Sequence, residues 1–154
     1  MASLGIDLAK NLSFYTVPAA FLLCLLPQAV VMSRARGLFD SAYPRQFVSS
    51  IEQCETLKKE TKQTFIRAKC ASDNGFETIG VFAAAVVAAN HAGVETSALN
   101  TLSIFYVISR LGYIFAYVIL GANRKLAPIR TLTWAAGIGA IFILFTRAAS
   151  RVYL

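Results

Sequence analysis

Charge is scarce in this sequence. Only 15% of its residues are charged, well under the roughly 25% usual in soluble domains. Acids are the scarcer sign, eight against fifteen lysines and arginines. Cysteine and histidine are nearly missing. Cys24, Cys54 and Cys70 form no CxxC pair and have one histidine, His91, beside them. That argues against a metal centre and against an obligatory disulfide framework, and His91 is expected to be structural. Repeats, low-complexity tracts and any soluble domain are also lacking. No A-x-A site follows the first apolar run, which is longer than the roughly 7–15 residues of a signal-peptide core. That run is therefore expected to be a retained helix.

What the chain does contain is apolar. Hydrophobic residues make up 56% of its 154 positions, and the mean hydropathy is +0.58. The net charge of +7 could suggest nucleic acid, but the bases cluster between apolar runs, as membrane topology requires. The expected partners are membrane lipids, and no nucleic acid. The expected fold is an all-α integral membrane protein, a four-transmembrane-helix bundle forming a single domain over residues 1–154. Its helices are placed at about 11–33, 62–91, 97–120 and 129–148.

Lys10 and Arg34 bracket the uncharged run Asn11 to Ser33, long enough at about 1.5 Å per residue to cross some 30 Å of hydrocarbon. Pro18 and Pro27 are tolerable there if neighbours satisfy the freed carbonyls. The polar stretch that follows turns at Tyr43-Pro44. The spacing of Phe47, Ile51, Cys54 and Leu57 then predicts a short amphipathic helix. In the second long helix, Ala83-Ala-Ala and Ala88-Ala allow close helix approach. Thr96 or Ser97 is the expected N-cap of the third helix, and Gly112 with Ala116 is a small-residue packing pair on it.

Bases give an orientation. Arg34, Arg36, Arg45, Lys58, Lys59, Lys62, Arg67 and Lys69 lie in or beside the first connection, and Arg124, Lys125 and Arg130 in the third. Lys10, Arg147 and Arg151 lie at the other end. The positive-inside rule then makes the basic connections cytosolic and puts both termini on the opposite side.

One stretch carries chemistry. Arg67, Asn74 and Glu77 are seven and three residues apart, so they share a helical face. A carboxylate inside a bilayer costs about 2.5–3.5 kcal/mol, less near the interface, and Arg110, which interrupts the third apolar run, is the expected partner of Glu77. Arg110, Tyr113 and Tyr117 share a face of their own. Each has a plainer role: an ion pair fixing helix registry, interfacial tyrosines, and topology anchors at Arg124, Lys125 and Arg130. Trp134 and Tyr153 fit aromatic belts.

These motifs together resemble a family. Arg67-Ala-x-x-Ala-x-x-Asn74-Gly-x-Glu77 followed by Phe82-Ala-Ala-Ala-Val, Arg110-x-x-Tyr113-x-x-x-Tyr117, and Ala127-Pro-Ile-Arg130-Thr131-x-Thr-Trp134 are similar to motifs of the membrane-associated proteins in eicosanoid and glutathione metabolism (MAPEG). That family includes microsomal glutathione transferases and microsomal prostaglandin E synthases. The resemblance implies a homotrimer in the endoplasmic reticulum with glutathione as cofactor between neighbouring protomers. It implies glutathione binding by Arg36, Arg67, Asn74, Glu77, Arg110, Tyr113 and Tyr117. It makes Arg130 the catalytic, thiolate-stabilising residue, with Thr131 beside it and Arg124 as runner-up. Cys70 and Asp73 depart from the eicosanoid-forming pattern. The implied activity is a glutathione-dependent transferase, peroxidase or isomerase acting on a lipophilic small-molecule substrate from the bilayer. The alternatives are a glutathione-independent isomerase or cyclase of a small lipophilic metabolite, or a non-catalytic lipid-binding membrane protein.

Overall fold

The computed structural model describes residues 9–153. Five α-helices run in order: α1 (Ser13–Arg34), α2 (Phe47–Gln53), α3 (Lys59–His91), α4 (Thr96–Val118) and α5 (Ala127–Tyr153), with short 3-10 turns in the two basic connections. Residues 1–8 and 154, which include both chain ends, lie outside the described part. The four long helices run alternately up and down. The start of α1 meets the end of α3, the start of α3 meets the end of α4, and the start of α4 meets the end of α5.

α1, α4 and α5 are each long and apolar enough to cross a membrane. α3 is the fourth member of the bundle and the least apolar. Its 33 residues reach about 50 Å at 1.5 Å per residue, longer than the roughly 30 Å thickness of bilayer hydrocarbon. One of its faces is also polar for a reason that appears below.

Two polar devices and several small residues set the packing. At the end of the bundle away from the basic connections, Asn11 Nδ2 donates to Asn90 Oδ1 (2.6 Å) and Asn90 Nδ2 donates to the buried Ser13 hydroxyl (2.9 Å). Leu12 N donates to Asn100 Oδ1 at 2.8 Å. These bonds satisfy backbone and amide groups where α1 enters the apolar layer, as a water-poor medium demands. Farther along α1, Pro27 has no N–H to give Leu23, and one residue on, the Ser72 hydroxyl of α3 donates to the Cys24 carbonyl. α1 and α3 come this close because position 75 is glycine: a Cβ there would lie 2.8 Å from Cys24 Sγ.

The core sits in the half of the bundle nearer the asparagine clasp. Phe82 of α3 stacks on Tyr106 of α4 with ring centroids 3.8 Å apart, and Ala85, Val86, Ala89, Ile141 and Leu144 close around them. The small residues of α3 are divided. Ala85 and Ala89 pack inside the protomer, while Gly80 and Ala84 face outward. Gly93 turns the chain from α3 into α4 at φ +70, a left-handed conformation that favours glycine.

Several local expectations change. α2 ends at Gln53, where Cys54 takes an extended backbone. Phe47 and Ile51 are buried beneath it against Val31, Phe65 and Ala68, while Leu57 reaches the same cluster from a turn. The first turn of α4 begins at Thr96 after Glu95, with no side-chain cap. The expected Thr96 or Ser97 cap is thus absent, because the chain already enters the helix at that point. α5 continues past residue 148 to Tyr153, where Arg151 meets Glu95 at 3.2 Å.

Candidate functional site

A cavity of about 560 Å³ opens at the end of the bundle that carries the basic connections, walled by three helices. α3 contributes Cys70, Asp73, Asn74 and Glu77, α4 contributes Tyr113 and Tyr117, and α5 contributes Arg130, Thr131 and Trp134. The α3 residues recur at i, i+3, i+4 and i+7, a single helical face. This is why α3 is less apolar than its neighbours.

Behind that wall lies Arg110, only 3% exposed. Its Nη1 donates to Asn74 Oδ1 at 3.1 Å and to Thr78 Oγ1 at 3.4 Å. Its guanidinium carbon lies 5.4 Å from the Tyr106 ring centre and 5.0 Å from that of Tyr113. Among the described residues Nε and Nη2 have no hydrogen-bond partner, and they face Gly137, where a Cβ would stand 3.5–3.6 Å from them. The expected Glu77–Arg110 ion pair does not form. Glu77 lies on the exposed side of α3 and accepts a long bond from Asn74 Nδ2 at 3.4 Å, so the Asn74 amide stands between cation and carboxylate.

Toward the mouth, Tyr113 and Tyr117 meet edge to face with centroids 5.7 Å apart. The Arg130 guanidinium carbon lies 4.6 Å from the Tyr117 ring centre. Asp73 pairs with Lys69 one turn away. Arg130 forms no ion pair among the described residues, so its charge remains available to a ligand.

Of the residues singled out from the sequence, Asn74, Glu77, Tyr113, Tyr117, Arg130 and Thr131 share this cavity. Arg67 does not line it. Its Nε and Nη2 donate to the Val118 carbonyl, each at 3.3 Å, and Nη2 also bonds Thr64 Oγ1 at 3.0 Å. Arg67 therefore satisfies a carbonyl at the C-terminal end of α4, where no helical N–H follows to accept that task. Arg36 and Arg124 lie exposed in 3-10 turns outside the cavity, and Arg110 sits behind it. Cys70, Asp73 and Trp134 are additional lining residues. Their signal was present as spacing, Cys70 four residues before Asn74, Asp73 four before Glu77 and Trp134 four after Arg130, but their side-chain types suggested other roles.

Outside the cavity, the Thr56 hydroxyl lies 3.1 Å from Cys54 Sγ and holds that thiol below its ordinary pKa. Cys24 is buried and Cys70 half-buried. Among the described residues no group of histidine, cysteine and carboxylate side chains could hold a metal ion.

Apolar helices enclosing a polar cavity at one end of the bundle define an integral membrane protein. The chain belongs to the MAPEG family, which matches residues 12–150. No individual curated protein matches it.

Proposed function

We propose that the chain is a glutathione-dependent membrane enzyme, a transferase, peroxidase or isomerase acting on a lipophilic electrophile drawn from the bilayer. The observation that carries this reading is the cavity that joins Arg130 and Thr131 to Asn74 and Glu77 in a chain of this family.

The donor set fits the tripeptide. Glutathione carries one ammonium, two carboxylates, two amides and a thiol. Glu77 suits the ammonium, and the Asn74 amide suits a peptide group. Arg130, free of any carboxylate, suits a developing thiolate, with the Thr131 hydroxyl as a second donor. Bound glutathione supplies a sulfur nucleophile, but a free thiol with pKa near 8.5 is only a few per cent ionised at neutral pH. A cation that lowers this value by about two units stabilises the charged form by roughly 2.7 kcal/mol. Arg130 performs that role.

Glutathione's carboxylates find few cations in one protomer, because Arg67 and Arg110 are bonded within the chain. A neighbouring protomer completes the site, with Arg36 as a candidate contact. Self-association is supported by the outer stripe of α3, where Asp73, Glu77, Gly80, Ala84 and Val87 are all exposed. Lipid is a poor cover for two carboxylates, and small residues admit a close helix. The reading includes a homotrimer, four spanning helices in one domain, cytosolic basic connections and residence in the endoplasmic reticulum.

The same commitment of Arg67 and Arg110 favours a second reading, in which the cavity takes a less acidic metabolite and works without glutathione as an isomerase or cyclase. Glutathione titrated into detergent-solubilised protein separates the two. The first reading expects thermal stabilisation, about 2.7 kcal/mol at a hundredfold excess over the dissociation constant. An unchanged melting temperature at millimolar glutathione would favour the second, or a lipid-binding role without catalysis.

A further inference from the structure

We infer that Tyr117 is a positioning residue whose ring face holds Arg130 over the cavity. The inference rests on the glutathione reading for what Arg130 does, but not for how Arg130 is held.

Arg130 occupies the first turn of α5, just after the 3-10 turn Arg124–Leu126. A long cationic side chain at a helix start beside an open cavity has many rotamers, and fixing it requires contacts. No carboxylate supplies them here. Tyr117 does: the guanidinium carbon lies 4.6 Å from its ring centre, inside the roughly 6 Å reach of a cation–π interaction, and the guanidinium also interacts with the Tyr117 hydroxyl.

Tyr117 is itself held from the protein interior. Its ring meets that of Tyr113 edge to face, and Tyr113 is 5% exposed with the Arg110 guanidinium 5.0 Å from its centre. Arg110 is fixed on two sides, by Asn74 and Thr78 of α3 and by the backbone slot at Gly137 of α5. Two tyrosine rings in contact thus connect two arginines, in the order Arg110, Tyr113, Tyr117, Arg130. The inner cation is buried and hydrogen-bonded through Nη1, the outer one lines the cavity, and the two rings connect the first to the second. A ring face attracts a guanidinium without neutralising it. Arg130 therefore keeps its full charge for the ligand, which a carboxylate partner would reduce.

The test compares wild type with Tyr117→Phe, Tyr117→Leu and Tyr117→Met in detergent. Arg130 modification by phenylglyoxal without glutathione is followed by mass spectrometry, with exposed Arg124 in the same digest as the control for overall folding. Tyr117→Phe should label Arg130 at the wild-type rate. Tyr117→Leu and Tyr117→Met should label it at least threefold faster with Arg124 unchanged. In the glutathione complex, thiolate absorbance near 240 nm at neutral pH should survive in Tyr117→Phe. It should fall about tenfold in the aliphatic variants. Fast labelling of Tyr117→Phe would assign the role to the hydroxyl and overturn the inference, as would wild-type labelling rates in the aliphatic variants. A wild type without any thiolate signal would remove the glutathione reading, and the labelling rates would still decide whether the ring holds Arg130.

Discussion

Arg130 and Arg124 are six positions apart in one basic connection, and topology alone treats them alike. The structure separates them: Arg130 reaches the cavity beside Tyr117, and Arg124 lies exposed in a turn. Arg130→Ala is expected to remove about 2–4 kcal/mol of transition-state stabilisation, roughly 30–1,000-fold in rate. Arg124→Ala should stay within about threefold of wild type in the same conjugation assay. A larger loss for Arg124→Ala would move the thiolate stabiliser into the turn. Arg67 makes the opposite point, because a residue with a binding motif's spacing is bonded to the end of α4. Arg67→Ala should lower stability by about 1 kcal/mol, the scale of one partly exposed hydrogen-bonded group, and leave glutathione affinity within about threefold. A tenfold weaker calorimetric affinity with unchanged melting would make Arg67 a ligand contact instead.

Among the helices, α1 and α3 approach through Gly75 and Cys24. A methyl group at position 75 would stand 2.8 Å from Cys24 Sγ and 3.1 Å from its Cβ, and backbone on both sides limits how far either can retreat. Gly75→Ala should cost about 1–3 kcal/mol, the usual range for overpacking. Adding Cys24→Ala should restore part of it, since the sulfur is the nearest obstacle. Thermal melts of the single and double variants give the coupling, and strictly additive losses would mean that the two positions do not touch. The amphipathic pattern of residues 47–57 shows how an element was only partly legible. Phe47, Ile51 and Leu57 do reach one cluster, but the helix stops at Gln53 and a turn delivers Leu57. Periodicity records which side chains must be buried, and the chain can bury them without continuing the helix.

For the whole molecule, the outer stripe of α3 is the feature a single protomer leaves unused. Gly80 lies at its centre, and a Cβ there meets nothing within 4 Å among the described residues. Gly80→Leu should therefore leave the protomer folded but prevent close contact between copies. Native mass spectrometry in mild detergent should find three copies for wild type and mainly single chains for Gly80→Leu, with equal helicity by circular dichroism. Three copies in both would place the contact between protomers elsewhere.

Helical class, membrane character and family were all legible in the sequence, because each is written locally. Apolar runs exceed the bilayer thickness, bases gather between them, and the motifs of three helices keep their order. The polar face of α3 was legible for the same reason, since residues three and four apart must share a side. Where each arginine points was not. Arg67, Arg110 and Arg130 are alike as sequence, a cation beside or inside an apolar run. Only the packing of α3, α4 and α5 distributes them, one onto the Val118 carbonyl, one behind Asn74 and Tyr113, one onto the Tyr117 ring. Expecting Glu77 to pair with Arg110 was reasonable from the energy of a buried charge. The helix rotation that turns Glu77 outward and Asn74 inward decided otherwise, and that rotation depends on contacts between residues more than thirty positions apart.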